Sequence, residues 1–557
     1  MYGFLASKGF NIECLGSSCN MEPIRQYNHL LNKFPDDQIM LDTDQEICFL
    51  DGYIYNKNLI QEKMKADWKT SFSYYIESNT EECLKILRGG FCGYHYNRQT
   101  QTVIIYTDQL SVKALYYYVD GEKWIVSNSF TFIVEVLKAN GCVYALNETA
   151  VQYMLTYGYM LDDSTFIKEI HRLMPGHYAV INQKDIKINR YYVIDNTEER
   201  MSEQEAVERI DKAFRTAIQR EFDKDLEYGY RHLVDLSGGL DSRMVSWVAH
   251  DMGYTSQLNV TYSRAKYKDD IISKDIACYL RHEYIFKVLD DAKWLFDIDE
   301  ITAKNNGAAL YSGITGGDRL LAIIQGGNFG IEHTGMIGDA ILSTFYKDKE
   351  FNFQMPGFGM HRYSERLSYT FDDKVLSNYT NQEIFAIYSR GILGAQSSYM
   401  IRQNYFETAS AFTDVDFLNT IFSVPFEYRV KHHIYLKWML EKYPKSTEFG
   451  WEKWGGIKPK ESCIFFRKIR TTQRLSKQIV CNLLKIGNND SMNPLDYWYQ
   501  HDKDIQRYFF EYYTENIDRM SSVEHLKKDT ADMFLKGNVT EKTMALTVLA
   551  MVKKIIS

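Results

Sequence analysis

The stretch from Leu233 to Gly253 joins an apolar run, a glycine turn and a helix-period pattern without a break, and it limits the folds open to this chain. His232–Leu236 is short and mostly apolar, as a buried strand is, whereas Met244, Val245, Val248, Ala249 and Met252 recur at helical spacing and Gly253 ends the run. Between them lies Ser237-Gly238-Gly239-Leu240-Asp241-Ser242. Its two glycines let the backbone approach a ligand closely, its two hydroxyls can donate to phosphate oxygens, and the free N–H groups of a helix start favour an anion. Asp241 would repel a bare phosphate, so an anion here requires a cation beside it. An amphipathic helix over Ala206–Phe222 precedes the turn; Leu258–Tyr262 follows as a strand, Asp270–Leu280 as a helix and Tyr284–Leu289 as a third strand. This order predicts a parallel sheet with a nucleotide site at the carboxyl ends of its strands, at the first strand–helix turn.

The hexapeptide resembles the pyrophosphate loop of the PP-loop ATP pyrophosphatases, most closely that of the asparagine synthetase family. The resemblance implies that Leu236, Ser237, Gly238, Gly239, Leu240, Asp241 and Ser242 hold ATP. Further on, Glu332–Leu342 is similar to the family's second nucleotide segment, SGEGADEL, and places Asp339 98 residues after Asp241. The family pattern implies that both carboxylates face one magnesium ion and that Thr334 and Gly335 contact the adenosine end. Two aspartates suit magnesium, which takes one or two carboxylates together with phosphate oxygens and water. Met336 and Ala340 stand where the family has glutamates, and a methionine offers neither charge nor general base. Free aspartate and ammonia are therefore doubtful substrates. Ala411–Asp414 falls where the family has PFLD, and Lys437 and Lys453 fall where it has basic residues. A lysine beside a pyrophosphate can neutralise charge developing in a transition state, a role expected of Lys453 rather than Lys437.

The front of the chain reads differently. From Met1 to about Val193, short β-rich runs are broken by turns, with helical stretches such as Thr80–Leu87 between them, and predict antiparallel sheets packed together. Phe49–Asn56 looks like the FNGEIYN segment of the glutamine amidotransferase domain that precedes the synthetase domain in asparagine synthetases. Thr107–Tyr117 looks like its RDRFGIKPLYY, and Ile170–Tyr178 like the segment that closes it. The implied fold is an Ntn-hydrolase-like antiparallel β-sandwich flanked by helices over residues 1–200. A parallel α/β PP-loop domain would follow over 201–557, with a helical extension from about 460. The polar run Asn196–Glu205 suits the junction.

That family attacks glutamine with the thiol of an amino-terminal cysteine; here the position is Tyr2, and a phenol is a far weaker nucleophile toward an amide at neutral pH. The glutamine-holding Asn-Gly-Glu becomes Asp51-Gly52-Tyr53. The domain is read as a scaffold without glutaminase activity, and Cys14 and Cys19, away from the terminus, are unsuitable substitutes.

A chain of 557 residues exceeds what one core usually serves, so two or three domains are expected. With 65 basic against 73 acidic residues and no long basic run, nothing predicts nucleic-acid binding. Nine cysteines with no CxxC pair read as free thiols rather than a disulfide or zinc framework. No secretory pattern or membrane-length apolar run is found, which gives a cytoplasmic location and no membrane partner as expectations.

The expected function is ATP-dependent amide formation in the manner of a carbon–nitrogen ligase. A small-molecule or peptide carboxylate is adenylated with ATP and magnesium, then passed to an amine. The amine is free ammonia, ammonia from a separate protein, or the amino group of a larger substrate. An ammonia-dependent asparagine synthetase, a tailoring amide or lactam synthetase and a non-catalytic ATP-binding scaffold stay open as alternatives. The C-terminal helices, over Pro494–Ile517 and Thr540–Ile556, are expected to cover the substrate pocket or to mediate self-association as a homodimer.

Overall fold

Alternate residues of the strand Gly3–Lys8 serve two different cores, and the front third of the chain is built on this pattern. In the computed structural model, which describes residues 2–556 other than 17–18, 22, 183–184, 314–315, 345–361, 368, 370–372 and 461–490, Phe4 and Ala6 face a second sheet while Leu5 faces helix Phe130–Ala139. The strand Glu46–Ile54 does the same: Ile47 and Phe49 point between the sheets, and Cys48 and Leu50 point to helix Trp68–Ser78. Strands covered on both faces carry continuous apolar runs rather than clean alternation. Two six-stranded antiparallel sheets result. One runs in the order Ile170–Arg172, Tyr116–Asp120, Lys123–Ser127, Gly3–Lys8, Ile24–His29, Cys19–Met21. The other runs Ile186–Arg190, His177–Ile181, Thr102–Thr107, Gly89–Asn97, Glu46–Ile54, Ile39–Asp42. This is the helix-flanked antiparallel sandwich that the strand spacing predicts.

Residues 191–201 carry no helix or strand, and the chain then enters helix Glu203–Glu227, whose start is capped by Ser202 accepting from Glu205 N at 3.1 Å. Its apolar stripe, including Ile210, Phe214 and Phe222, is buried. Phe214 lies 4.8 Å from the ring of Phe412 and 5.2 Å from that of Trp438, and burying one such side chain contributes about 2–3 kcal/mol. The sheet beyond it is parallel throughout, in the order Glu283–Val288, Gln257–Ser263, Arg231–Asp235, Phe329–His333, Glu407–Ala409. The first three match the sequence reading within a residue or two; the last two were not legible as strands.

The six cysteines described with their side chains are free thiols, and Cys463 and Cys481 lie outside the described residues, as does the expected helical extension up to residue 490. Past it, helices Leu495–His501, Lys503–Asn516, Glu524–Lys536 and Val539–Ile556 pack into one core with the front sandwich and helix Ile298–Lys304. Helix Val539–Ile556 is tied to both sides. Thr547 Oγ1 accepts from Tyr311 N at 3.1 Å, Ile555 O accepts from the Tyr144 hydroxyl at 2.8 Å, and Lys554 pairs with Glu135 at 2.6 Å. Trp498, Phe509, Tyr512 and Tyr513 are buried in that core, which is packing. No helix among the described residues is long and apolar enough to cross a membrane.

One ionic cluster sits under the sheet. His333 Nε2 lies 2.8 Å from Asp225 Oδ2 and its Nδ1 3.2 Å from Glu221 Oε2, all three buried; His232 Nδ1 meets the same Asp225 oxygen at 3.1 Å. Burial by itself would lower the His333 pKa, but the bonds to Asp225 and Glu221 outweigh it and push it up to about 9. Burial would likewise raise Asp225, yet hydrogen bonds from His232 and His333 hold it below its ordinary value. A histidine raised in the folded state stabilises fully below its unfolded pKa, near 6.5, and loses that contribution as pH rises toward the folded value. The unfolding midpoint should therefore fall between pH 6.5 and about 9. In His333→Gln this slope should vanish and the protein should lose about 3 kcal/mol at pH 6.5, read by denaturant unfolding. A His333→Gln variant that keeps the wild-type slope would refute the assignment.

Candidate active site

The loop between strand Arg231–Asp235 and helix Asp241–Asp251 is pinned at both ends by buried leucines, Leu236 and Leu240. Leu236 N donates to Val260 O at 3.0 Å, and Leu236 O accepts from the Thr261 hydroxyl. Within it the oxygens of Ser237 and Ser242 stand 2.9 Å apart. Ser237 N donates to Ser242 Oγ at 2.9 Å and Gly239 N to Ser237 Oγ at 3.2 Å. The loop thus sets two hydroxyls side by side at a helix start, whose first-turn N–H groups have no intrahelical acceptor. Gly238 is walled in. Its amide donates to Asp269 Oδ1 at 2.7 Å, and a Cβ there would stand 3.0 Å from Glu452 Cβ. Burial pushes the Asp269 carboxyl up to about 6.

Asp241 and Asp339 come together. Asp339 N donates to Asp241 Oδ2 at 2.9 Å, and the Tyr435 hydroxyl donates to Asp241 Oδ1 at 2.8 Å. Withdrawal from water, and then the charge of Asp339, push the Asp241 carboxyl up to about 7. Lys453 Nζ stands 3.3 Å from Asp339 Oδ2, both groups partly exposed. Each Asp241 oxygen keeps a second lone pair after its one hydrogen bond, so a carboxylate without a cation in direct contact lies beside the lysine-paired Asp339 at the loop. That donor set fits magnesium. Lys437 instead bridges Glu203 at 3.4 Å and Glu441 at 3.1 Å.

Gly335 lies directly on the helix start: a Cβ there would fall 2.3 Å from Ser242 N. Thr334 is buried, its hydroxyl donating to Ala409 O at 3.0 Å and accepting from Tyr399 at 2.9 Å, so the side chain braces the segment from behind. Ile337 holds φ +55, a strained conformation for a β-branched residue and of the kind that gathers at functional sites. Met336 contributes backbone contacts, its carbonyl accepting from Ser410 Oγ at 3.2 Å.

Three residues absent from the sequence reading complete the site. Arg243, fully buried, donates to the carbonyls of Ser446 (3.0 Å), Phe449 (3.4 Å), Gly238 (3.3 Å) and Gly450, and burial lowers its pKa to about 10. Glu452 N donates to Gly238 O at 2.9 Å, which brings its neighbour Lys453 to the loop. Tyr435 holds Asp241. The signal for Arg243 is a charge on the apolar face of a helix; Glu452 and Tyr435 had none.

In the front domain Tyr2 packs its ring 4.6 Å from that of His29. A small cleft opens beside it, lined by Asp51, Lys113 and Asn128 together with Asn306, Gln403 and Asn404 from beyond residue 200. Among the described residues no cysteine lines it. The Asp51 carboxylate accepts from Gln38 Nε2 at 3.0 Å and from Lys113 Nζ at 2.9 Å.

Residues 35–192 match the glutamine amidotransferase domain family. A putative asparagine synthetase (glutamine-hydrolyzing) 2 of Methanocaldococcus jannaschii is 24% identical over 283 residues, 47% of this chain and 53% of that protein. The amidase chyE of Penicillium rubens is 26% identical over 172 residues, 30% of this chain and 24% of that protein. Asparagine synthetase (glutamine-hydrolyzing) 3 of Bacillus subtilis is 22% identical over 217 residues, 37% of this chain and 34% of that protein. The chain thus spans about half the length of the first of these relatives and less of the others. The chain therefore carries, in front, residues that match a glutamine amidotransferase domain, and over part of its length it is similar to asparagine synthetases.

Proposed function

We propose that this protein is an ATP-dependent amide-forming ligase without a glutaminase of its own. One observation carries the reading: Asp241, Asp339 and Lys453 converge on a glycine loop bearing two hydroxyls, at the carboxyl end of a parallel sheet. Its relatives' names, asparagine synthetase and amidase, both point to amide chemistry.

In the proposed reaction a substrate carboxylate oxygen attacks the α-phosphorus of ATP and the bond to pyrophosphate breaks, giving an acyl adenylate. An amine nitrogen then attacks the acyl carbon, AMP departs, and the amine gives up a proton. Ser237 and Ser242 present hydroxyls to the departing pyrophosphate, and Lys453 offers an ammonium where charge develops. Asp241 and Asp339 would hold magnesium, which would supply neutralising charge for the phosphates. Tyr435 and the Asp339 amide keep the Asp241 carboxylate aimed. Carboxylate and amine are the partners of the reaction; no acid or base stands at Met336 to serve free aspartate and ammonia in the family's manner.

A screen of carboxylates and amines with MgATP tests the reading and should yield pyrophosphate and AMP in equal amounts. Asp241→Asn should lower that rate about 100- to 1,000-fold and Lys453→Met about 100-fold, the scale for losing one preorganised transition-state contact. ATP binding without turnover across the whole panel would favour a scaffold instead. Incubation with glutamine should release no glutamate, since Tyr2 supplies no thiol; glutamate formation would overturn the front-domain assignment. Aspartate with ammonium should give no asparagine.

A further inference from the structure

The front domain touches the nucleotide segment through a short chain of buried contacts. Its loop Asp108–Lys113 is stiffened from within: Asp108 Oδ1 accepts from Leu110 N and Val112 N, each at 3.0 Å, and Oδ2 accepts from Lys113 N and Phe91 N, each at 3.2 Å. Two glutamines from beyond residue 200 grip its outer carbonyls, Gln396 Nε2 donating to Leu110 O at 3.1 Å and Gln403 Nε2 to Val112 O at 3.0 Å. From this base Lys113 Nζ reaches Asp51 Oδ2 at 2.9 Å and Glu407 Oε1 at 2.7 Å, all three side chains less than a tenth exposed. The Tyr53 hydroxyl donates to Thr408 O at 2.7 Å.

Glu407 and Thr408 open the edge strand Glu407–Ala409, which pairs with Ile331–His333. Ala409 O then accepts from Thr334 N at 2.9 Å and Thr334 Oγ1 at 3.0 Å. One residue later Gly335 rests on Ser242 N without room for a Cβ. From Lys113 to the loop helix the path runs through one ion pair, three strand residues and one backbone hydrogen bond. Packed elements of this kind pass a displacement on rather than absorb it. A shift of Glu407 therefore becomes a shift of Gly335 against the loop.

We propose that the front domain acts as a positioning element for the nucleotide site, with Lys113 and Tyr53 setting the edge strand that places Thr334 and Gly335 on the loop. The inference rests on the reading of that loop as an ATP site. Lys113 and Tyr53 are positioning residues: they act through Glu407 and Thr408.

The test measures MgATP binding to the full-length protein by calorimetry. Tyr53→Phe removes a single hydroxyl and should weaken MgATP about threefold while the free protein stays folded, as circular dichroism checks. Lys113→Met should weaken it about tenfold, and the charge-conserving Lys113→Arg should stay within about threefold of wild type. If Lys113→Met fails to fold, Tyr53→Phe decides. Unchanged affinity in Tyr53→Phe and Lys113→Met, or equal losses in Lys113→Met and Lys113→Arg, overturns the inference while the ATP reading stands. A wild-type protein that binds no MgATP overturns both.

Discussion

A guanidinium buried without a carboxylate must be met by oriented carbonyls, and at Arg243 this requirement gathers the whole candidate site. The side chain leaves the first turn of the loop helix and donates to the carbonyls of Ser446, Phe449 and Gly450 as well as to Gly238 in the loop itself. The segment that follows those carbonyls carries Glu452 and Lys453. Distant parts of the sequence thus meet because one charge has no cheaper place to go. The loop's own hydrogen bonds could form in an isolated strand–turn–helix unit; the lysine beside Asp339 could not.

In the front domain, residues at positions that the family pattern gives to glutamine serve as supports. Asp51 and Tyr53 stand where the family pattern has Asn and Glu for glutamine. Asp51 is now closed by Gln38 and Lys113, and Tyr53 reaches out to the parallel sheet. Tyr53 occupies a buried position, so its hydroxyl needs a partner, and Thr408 O provides one. At these two positions the side chains form a joint between two sheets.

Legibility followed the source of each element's stability. Arg231–Asp235, Gln257–Ser263 and Glu283–Val288 could be read because apolar runs alternate with helical patterns. Phe329–His333 and Glu407–Ala409 could not, since Glu332, His333, Glu407 and Thr408 look like surface residues. They are buried because Arg402 meets Glu332, Asp225 meets His333, Lys113 meets Glu407, and Tyr53 and Gln403 meet Thr408. The same limit hid the site's supports. Asp241 and Asp339 were found through the motifs that carry them, whereas Tyr435 and Glu452 sit in helices and turns with no pattern of their own. The Gly238 amide looked free for a phosphate until Asp269 closed on it.

Carboxylates at this end of the sheet differ chiefly in what compensates them, and that difference separates framework from site. Asp225 has His333, Glu332 and Asp235 have Arg402, and Glu407 has Lys113, each a cation in direct contact. Asp241 has a tyrosine hydroxyl and a backbone amide, and its nearest charged neighbour is another carboxylate. Lys453 answers Asp339 from a partly exposed position, where an ion pair is weak. Two like charges held together by rigid backbone, rather than pushed apart, are stable at neutral pH when a further positive charge joins them or when one is protonated. In the proposed reaction a compact divalent ion would supply that charge, beside hydroxyls that already stand side by side.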